Sequence, residues 1–394
     1  MKKLKHRLRE WQTRRMEARA RRCRRPEPAA GRPADSPCRL VLLISRPQDI
    51  DLYLDIHHRA RGRNDIETRF WATRRALEHF PETQKKLARH GLSAERSLDH
   101  RALATIAKEL RQIDALLNTV ESSFAAHKVP HRLVRIANAC GVMTYTLQHG
   151  LENLGLTYRD RRRGSGVTFA AQRVLCWGEV DHLPGRLHPE TRGKCVAVGC
   201  PKRHLEELET AGKPAGKPII SIFEGLHVAR FDHRYLTCFF DDLQQTADEF
   251  KDFRFILKPH PGIVERRPEH ARRLAALRDI EVLDPARPQT AGDYPTPRLL
   301  ADSVAAVTTP STIALDAALA GTPVAVTRYR QNLPYYDLYR PLPLLDTGAD
   351  WRKFLQTIRH SAATARDRTI AFRDRVMLPG DAAGRILDLI AGDV

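Results

Sequence analysis

The chain has 394 residues, of which 42% are hydrophobic and 29% charged, and its formal net charge is +19 at pH 7. This length predicts two or three domains with a sizeable core. No run of about 18 uncharged apolar residues occurs, and no apolar segment follows the basic start at Lys2, Lys3 and Lys5, so we expect neither a transmembrane helix nor a secretory signal. The seven cysteines include no CxxC pair, which is typical of reduced thiols in a cytoplasmic protein.

Residues 1–37 form a strongly basic segment. Between Lys2 and Arg32 the sequence has thirteen lysines or arginines against three glutamates. Apolar residues recur at helical spacing in the first part of this segment, and four prolines follow them. We expect a disordered or amphipathic arm that attracts polyanions: nucleic acid, anionic lipid or an acidic glycan.

The elements predicted for the first half of the chain alternate between strand and helix. An apolar strand is predicted at 39–45, and a charged segment with helical periodicity follows at 83–112. The other predicted elements of this half are a strand at 115–120, a helix at 130–140 that ends at Gly141, and strands at 142–147, 174–177 and 195–199.

A polar stretch rich in glycine and proline at 208–218 predicts a linker, and the alternation then starts again. The second half has predicted strands at 219–223, 253–257, 280–283, 304–307 and 323–326, with predicted helices at 236–250 and up to Ala320. Alternating strands and helices imply parallel sheets, so the sequence predicts an α/β protein with two doubly wound, Rossmann-like domains. Their predicted bounds are 38–207 and 219–375, followed by a C-terminal helix at 376–394.

Polar residues that follow the predicted strands are the candidate site residues, because ligands of open parallel sheets bind beyond the carboxyl ends of the strands. Gln148-His149-Gly150 follows the strand at 142–147, and an imidazole there is suited to accept a proton or bind phosphate. Glu224-Gly225 follows the strand at 219–223, and its carboxylate is suited to act as a general base. Taken singly, each motif is a weak signal, because a hydrogen-bonded loop histidine and a surface glutamate also explain them.

Two further clusters carry groups that bind phosphate. Lys258 and His260 lie in a proline-stiffened turn, where two nitrogen groups suit a diphosphate. Ser311 and Thr312 precede a predicted helix, where hydroxyls cap the helix and its backbone N–H groups form an anion site. Singly, a stiff turn and an ordinary helix cap explain them. Together the four clusters predict a site that stabilises the leaving phosphate of a nucleotide.

The sequence contains no Walker or GxGxxG glycine-rich loop and no DxD pair at a strand end. We therefore predict that the protein needs neither a cofactor nor a metal ion.

These motifs resemble those of bacterial capsule and surface-polysaccharide transferases of the GT-B fold, a group that includes capsular Kdo transferases, sialyl- and polysialyltransferases and CDP-glycerol glycerophosphotransferases. The resemblance spans roughly residues 140–330. It implies a GT-B-like arrangement with the active site in the cleft between the two domains. Residues 38–207 would then form the acceptor-side domain and 219–375 the donor nucleotide-binding domain.

The resemblance also implies a role for each candidate residue. The residues assigned to the donor nucleotide and its phosphate are Lys258, His260, Ser311, Thr312 and Gly225, and those assigned to the acceptor or cleft are Gln148 and Gly150. Glu224 matches the general base of the sialyltransferase-like members. However, Phe223 stands where these often have a second carboxylate, so Glu224 and His149 remain competing candidates for the base.

The predicted function is glycosyl transfer from a nucleotide-activated sugar, with a CMP-sugar such as CMP-Kdo favoured, to a capsular or surface polysaccharide. The alternatives are a CDP-glycerol-type glycerophosphotransferase, a non-enzymatic protein that binds polyanions or nucleic acid, and an inactive GT-B partner. The expected partners are a glycan or glycolipid acceptor, an anionic membrane surface bound through the basic arm, and a polysaccharide-synthesis complex. Nucleic acid is disfavoured, because no aromatic cluster is interleaved with the basic residues. The expected location is cytoplasmic, peripheral on the inner face of the cytoplasmic membrane.

Overall fold

The computed structural model describes residues 2–22, 36–124, 127–151, 167–183, 187–202, 216–225, 231–260, 268–283, 295–330 and 336–394. The chain divides into two compact units. Unit 1 comprises Met1–His149, Asn153–Lys202 and Met377–Val394, and unit 2 comprises Gly150–Glu152 and Arg203–Val376. Most of the predicted linker at 208–218 lies outside the described residues.

Unit 1 contains a seven-stranded parallel sheet. Its strands are β1 Cys38–Ile44, β2 Ile66–Thr73, β3 Arg96–Leu98, β4 Ala115–Asn118, β5 Met143–Leu147, β6 Arg173–Cys176 and β7 Cys195–Ala197. Its helices are α1 Lys2–Arg22, α2 Pro47–Arg61, α3 Arg74–His79, α4 Pro81–Arg89, α5 Ala107–Leu110, α6 Lys128–Cys140 and α7 Pro189–Arg192, with α13 Ala382–Asp393 near the C-terminus.

The strand order of this sheet is β3-β2-β1-β4-β5-β6-β7. From β1 the chain adds β2 and then β3 on one side. It then places β4 on the other side of β1, with β5, β6 and β7 beyond it, so the topological switch point lies between β1 and β4. The central strand β1 is an almost continuous apolar run that is buried along its length, as expected for a parallel strand covered on both faces. The carboxyl ends of β1, β4 and β5 are therefore adjacent.

The basic N-terminal segment is helical over Lys2–Arg22, and this helix packs against α6 within unit 1. Thr13, Glu17 and Ala20 are buried on one side of α1, at the spacing of successive helical turns. Arg135 of α6 donates hydrogen bonds to the carboxylates of Glu17 at 2.5 Å and Glu10 at 2.8 Å. Residues 23–35 of the predicted arm lie outside the described part of the chain.

Residues after 376 also belong to unit 1, where α13 packs against α2. The backbone N–H of Leu378 donates to the Trp177 carbonyl at 2.8 Å, and the Arg385 guanidinium donates to the Val198 carbonyl at 2.9 Å. Gly199, with a φ of +90°, permits the close approach of Arg385. A Cβ at this position would lie only 2.7 Å from the Arg385 side chain.

Unit 2 contains a six-stranded parallel sheet with the order β10-β9-β8-β11-β12-β13. Its strands are β8 Ile219–Glu224, β9 Arg254–Pro259, β10 Ile280–Val282, β11 Ser303–Thr308, β12 Val324–Thr327 and β13 Leu344–Leu345. Its helices are α8 His233–Glu249, α9 Pro268–Ala275, α10 Thr296–Asp302, α11 Ile313–Leu319 and α12 Gly348–Val376. This is the 3-2-1-4-5-6 order of a doubly wound nucleotide-binding sheet, with its switch point between β8 and β11.

The prediction of an α/β protein with two Rossmann-like domains is confirmed. Among the described residues, none of the helices combines the length and apolar character needed to cross a bilayer.

Candidate functional site

In unit 2, the predicted residues gather at the carboxyl ends of the three adjacent strands β9, β8 and β11. Glu224 is the last residue of β8 and is buried, and Gly225 follows it. The Gly225 N–H donates to Thr309 Oγ1 at 3.0 Å, and the Thr309 N–H donates to the Phe223 carbonyl at 3.1 Å. These two bonds join the carboxyl ends of β8 and β11 at the switch point of the sheet. A Cβ at Gly225 would approach Thr309 Oγ1 to 3.0 Å, so the absence of a side chain permits this close packing.

The Lys258–His260 segment lies on the other side of β8. The His260 N–H donates to the Glu224 carbonyl at 2.9 Å, which fixes this segment beside the candidate base. His260 is exposed, whereas Lys258 is half-buried, and burial lowers the pKa of its ammonium group. Pro261 and Gly262 lie outside the described residues.

The third cluster follows β11. Ser311 Oγ accepts a hydrogen bond from the Ile313 N–H at 3.0 Å, so Ser311 rather than Thr312 supplies the side-chain cap of α11. Thr308 Oγ1 lies 3.4 Å from Ser311 Oγ. The edge thus combines a carboxylate, a lysine, a histidine and a group of hydroxyls within one sheet. This combination suits a phosphorylated ligand.

In unit 1, His149 follows β5 and is only 8% exposed. The Thr119 carbonyl forms a hydrogen bond with its ring, and Nδ1 has no hydrogen-bond partner among the described residues. Burial, followed by the charges of Arg46 and His127, lowers the pKa of His149 to about 3. At neutral pH the imidazole is therefore neutral, and Nδ1 presents the lone pair that a general base requires.

The two residues beside His149 have different surroundings. Gln148 Oε1 accepts a hydrogen bond from the backbone N–H of Trp177 at 2.8 Å. The backbone N–H of Gln148 donates to the Leu175 carbonyl at 2.9 Å. Gln148 therefore ties β5 to β6. Gly150 is assigned to unit 2, so the motif crosses the boundary between the units.

Several polar residues near His149 were missed by sequence reasoning. Asp49 is fully buried; its carboxylate accepts hydrogen bonds from the N–H groups of Ser45 and Arg46 and from Thr119 Oγ1 at 2.6–2.8 Å. Its burial nevertheless raises its pKa to about 6. His127, which lies 2.7 Å from Ser122 Oγ, has its pKa lowered to about 3 by burial and then by Arg46.

A sequence signal existed for part of this group. Ser45 ends the apolar run predicted as the first strand, so the strand-end criterion that selected His149 also points to Arg46 beyond it. No local pattern marks His127, because its position depends on the path of the chain between β4 and α6.

The structure is similar to UDP-GlcNAc 2-epimerase from Neisseria meningitidis, in a structure bound to UDP-GlcNAc, with a TM-score of 0.62 and 11% identity over 90% of this chain and 100% of that chain. It is also similar to the wall teichoic acid polymerase TagF. A histidine-to-asparagine variant of TagF soaked with CDPG gives a TM-score of 0.56 at 13% identity, over 97% of this chain and 93% of that chain. A second TagF variant gives a TM-score of 0.55 over 100% of this chain and 96% of that chain.

These likenesses establish a GT-B fold. No family model matches the sequence. No curated protein matches it either.

Proposed function

We propose that the protein is a transferase that moves a sugar from a nucleotide-activated donor to a glycan acceptor, with the donor nucleotide held by unit 2. The observation that carries this proposal is the convergence of Glu224, Lys258, His260 and Ser311 at the switch point of one parallel sheet. Doubly wound sheets bind nucleotides at this place, and cations and hydroxyls there stabilise a leaving phosphate. Solved structures of similar fold that are described with UDP-GlcNAc or CDPG support a nucleotide donor.

In the proposed reaction, the acceptor hydroxyl loses its proton to a base and its oxygen bonds to the anomeric carbon of the donor sugar. The bond from that carbon to the nucleotide phosphate breaks, and its electron pair leaves with the phosphate. Lys258 and His260 stabilise the charge that develops there, together with the hydroxyls of Ser311 and Thr312. Glu224 and His149 are the candidate bases.

A CMP-activated sugar is the donor that we favour, and a capsular or surface polysaccharide is the proposed acceptor. The second candidate function is transfer of glycerol phosphate from CDP-glycerol, in which the acceptor oxygen bonds to phosphorus and CMP leaves. This candidate is motivated by the similar structure of TagF, which is described with CDPG.

We further propose that the protein acts at the inner face of the cytoplasmic membrane, as part of a polysaccharide-synthesis complex. The exposed side of α1 supports this: it carries Arg14, Arg15 and Arg19, and Trp11 is 55% exposed. Clustered arginines attract anionic lipid, and indole rings favour the membrane interface.

The test is a thermal-shift titration of the full chain with CMP, CDP, UDP, UMP, GDP and ADP. A ligand that binds the native state at a hundred times its Kd stabilises it by about 2.7 kcal/mol, which raises the melting temperature. We expect a CMP-selective rise that His260→Ala abolishes and His360→Ala, an exposed control on α12, retains.

The other outcomes discriminate between the functions. A preference for CDP favours glycerophosphate transfer, and a preference for UDP with turnover of UDP-GlcNAc in the absence of an acceptor favours epimerisation. If no nucleotide changes the melting temperature, the proposed donor site is wrong.

A further inference from the structure

A group of basic side chains gathers at the carboxyl edge of the sheet of unit 1. Arg46 follows β1, His149 follows β5, His127 lies between β4 and α6, and Lys202 lies beyond β7. Arg46 and His127 both act electrostatically on the His149 ring, as does Lys202. Four groups able to carry positive charge thus converge where an open parallel sheet binds ligands.

The two histidines of this group are buried. His127 is 2% exposed and His149 is 8% exposed. Ser122 Oγ holds the His127 ring and the Thr119 carbonyl holds the His149 ring, so both orientations are fixed. His149 Nδ1 has no hydrogen-bond partner within the described residues, although a buried polar atom without one is costly. A hydrogen-bond donor that reaches Nδ1 would satisfy this atom, and a protonated Nδ1 could instead donate to an anion.

The nearest buried carboxylates are already satisfied by other groups. Asp49 accepts from Ser45, Arg46 and Thr119, as described above. Glu121 accepts from the Ala170 N–H at 2.7 Å, from Thr146 Oγ1 at 3.2 Å and from His131 Nδ1 at 2.5 Å. These bonds direct both carboxylates toward backbone amides, hydroxyls and His131.

The charge balance has a direct effect on His149. Its pKa of about 3 reflects burial first and the neighbouring cations second. A bound anion would offset the cations and favour the protonated ring. Without an anion, His149 is a weak base, because the best general base has a pKa near the working pH.

We propose that Arg46, His127, His149 and Lys202 form an anion subsite that takes a phosphate group of the substrate, and that His149 accepts a proton at Nδ1 when this subsite is filled. The phosphate belongs either to the acceptor or to the donor nucleotide. That it belongs to a substrate rests on the proposed function, whereas binding of phosphate itself does not.

The experiment uses the full chain with histidine labelled at 13Cε1 and titrated with inorganic phosphate near pH 6.5. The signal of His149, one of 17 histidines, is identified by its loss in His149→Gln. We run the titration in the His260→Ala background, so that phosphate bound at unit 2 does not contribute. We expect a saturable shift of the His149 signal toward the imidazolium value.

Substitutions at Arg46, which precedes α2, and at Arg61, the last residue of α2, give a matched comparison. Arg46→Met removes one charge-assisted contact and should weaken phosphate binding about tenfold or more, whereas Arg46→Lys keeps the charge and most of the affinity. Arg61→Met, at the exposed far end of the same helix, should leave the titration unchanged. The Arg46 N–H bond to Asp49 uses the backbone, so these variants retain it.

To identify which substrate supplies the phosphate, a sugar 1-phosphate and CMP are titrated in the same way. A shift with the sugar phosphate alone assigns the subsite to the acceptor, and a shift with CMP assigns it to the donor. Two results overturn the proposal: a His149 signal that does not respond to any of the three ligands, or a response that is equal in Arg46→Met and Arg61→Met. Neither result affects nucleotide binding by unit 2, which the thermal-shift titration tests separately.

Discussion

His127 and His149 are buried in the neutral form, and this links the stability of unit 1 to pH. Both have a pKa lowered to about 3, against 6.5 for an unperturbed histidine. Below pH 6.5 the unfolded chain binds protons that the native state excludes, so stability falls as the pH falls. Asp49 acts in the opposite direction between about pH 6 and its unperturbed pKa of 3.8, because its raised pKa lets the native state bind a proton first.

The balance of these three groups can be measured. Between pH 7 and pH 5, each histidine should lower the free energy of unfolding by roughly 2 kcal/mol, and Asp49 should raise it by about 1 kcal/mol. We expect His127→Gln to remove most of the loss, as followed by urea unfolding at the two pH values. His90→Gln, an exposed control, should behave like the wild type. Equal pH dependence in wild type and His127→Gln would contradict this account of His127.

The candidate residues differ in how far the sequence predicts them. Strand-end polar residues such as Glu224 and His260 follow short apolar runs that pair directly in the sheet, so their convergence follows from the parallel topology. Thr309 and Asp49 take part through contacts that depend on the strand order, which a single sequence does not specify. The bond from the Gly225 N–H to Thr309 Oγ1, for example, joins residues brought together only because β8 pairs with β11.

At the scale of elements, five of the six described strands of unit 2 were predicted within one or two residues, and the two-residue strand β13 was not predicted. The run at 304–307, for example, is observed as Ser303–Thr308. Two strands of unit 1 were missed. In β2 the buried Ile66 is followed by the polar residues Glu-Thr-Arg, and in the edge strand β3 only Leu98 is buried. The prediction of helical structure at 83–112 was wrong around Arg96–Leu98, because β3 lies there and separates α4 from α5. An edge strand with two exposed polar residues carries no hydrophobic signal.

Helix α1 presents one face to α6 and the other to solvent, so its role is best tested by point substitutions. The triple change Arg14→Gln, Arg15→Gln, Arg19→Gln alters exposed side chains and leaves the buried Thr13, Glu17 and Ala20 in place. At about 1 kcal/mol per basic residue, we expect sedimentation with anionic phosphatidylglycerol vesicles to weaken about 100-fold. Thermal stability and nucleotide binding should be unchanged.

The control for α1 is an equal removal of charge elsewhere on unit 1. A variant with Arg61→Gln, Arg89→Gln and Arg101→Gln, all exposed, should retain vesicle binding. Equal sedimentation of the two triple variants would rule out α1 as the membrane-binding surface. Tighter binding of wild type to single-stranded nucleic acid than to the vesicles would assign this face to nucleic acid instead.

At the scale of the whole molecule, unit 1 is assembled from segments on either side of unit 2 in the sequence. Residues 377–394 contribute the buried side chains Ala383, Ile386, Leu387 and Ile390 of α13. Leu387→Ala should destabilise unit 1 by about 2–5 kcal/mol through lost burial and a cavity. Hydrogen exchange should then accelerate in β4 and β5 while β8 and β11 keep their protection.

The matched control is Ile370→Ala on α12 of unit 2, where the side chain is 36% exposed, and we expect little change in exchange in either unit. Equal acceleration in both sheets of Leu387→Ala would show that the two units do not unfold independently.

The position of α13 in the sequence also determines when unit 1 can finish folding on the ribosome. Unit 2 ends at Val376, and α13 is synthesised only afterwards. The stretch from 203 to 376 takes roughly 9–35 s to translate at about 5–20 residues per second, and during this interval the α2 surface that α13 covers is bare. A chain released just after residue 376 therefore carries a complete unit 2 and an uncovered apolar surface on unit 1. Chaperones and proteases that recognise such surfaces can distinguish this interrupted product from the finished protein.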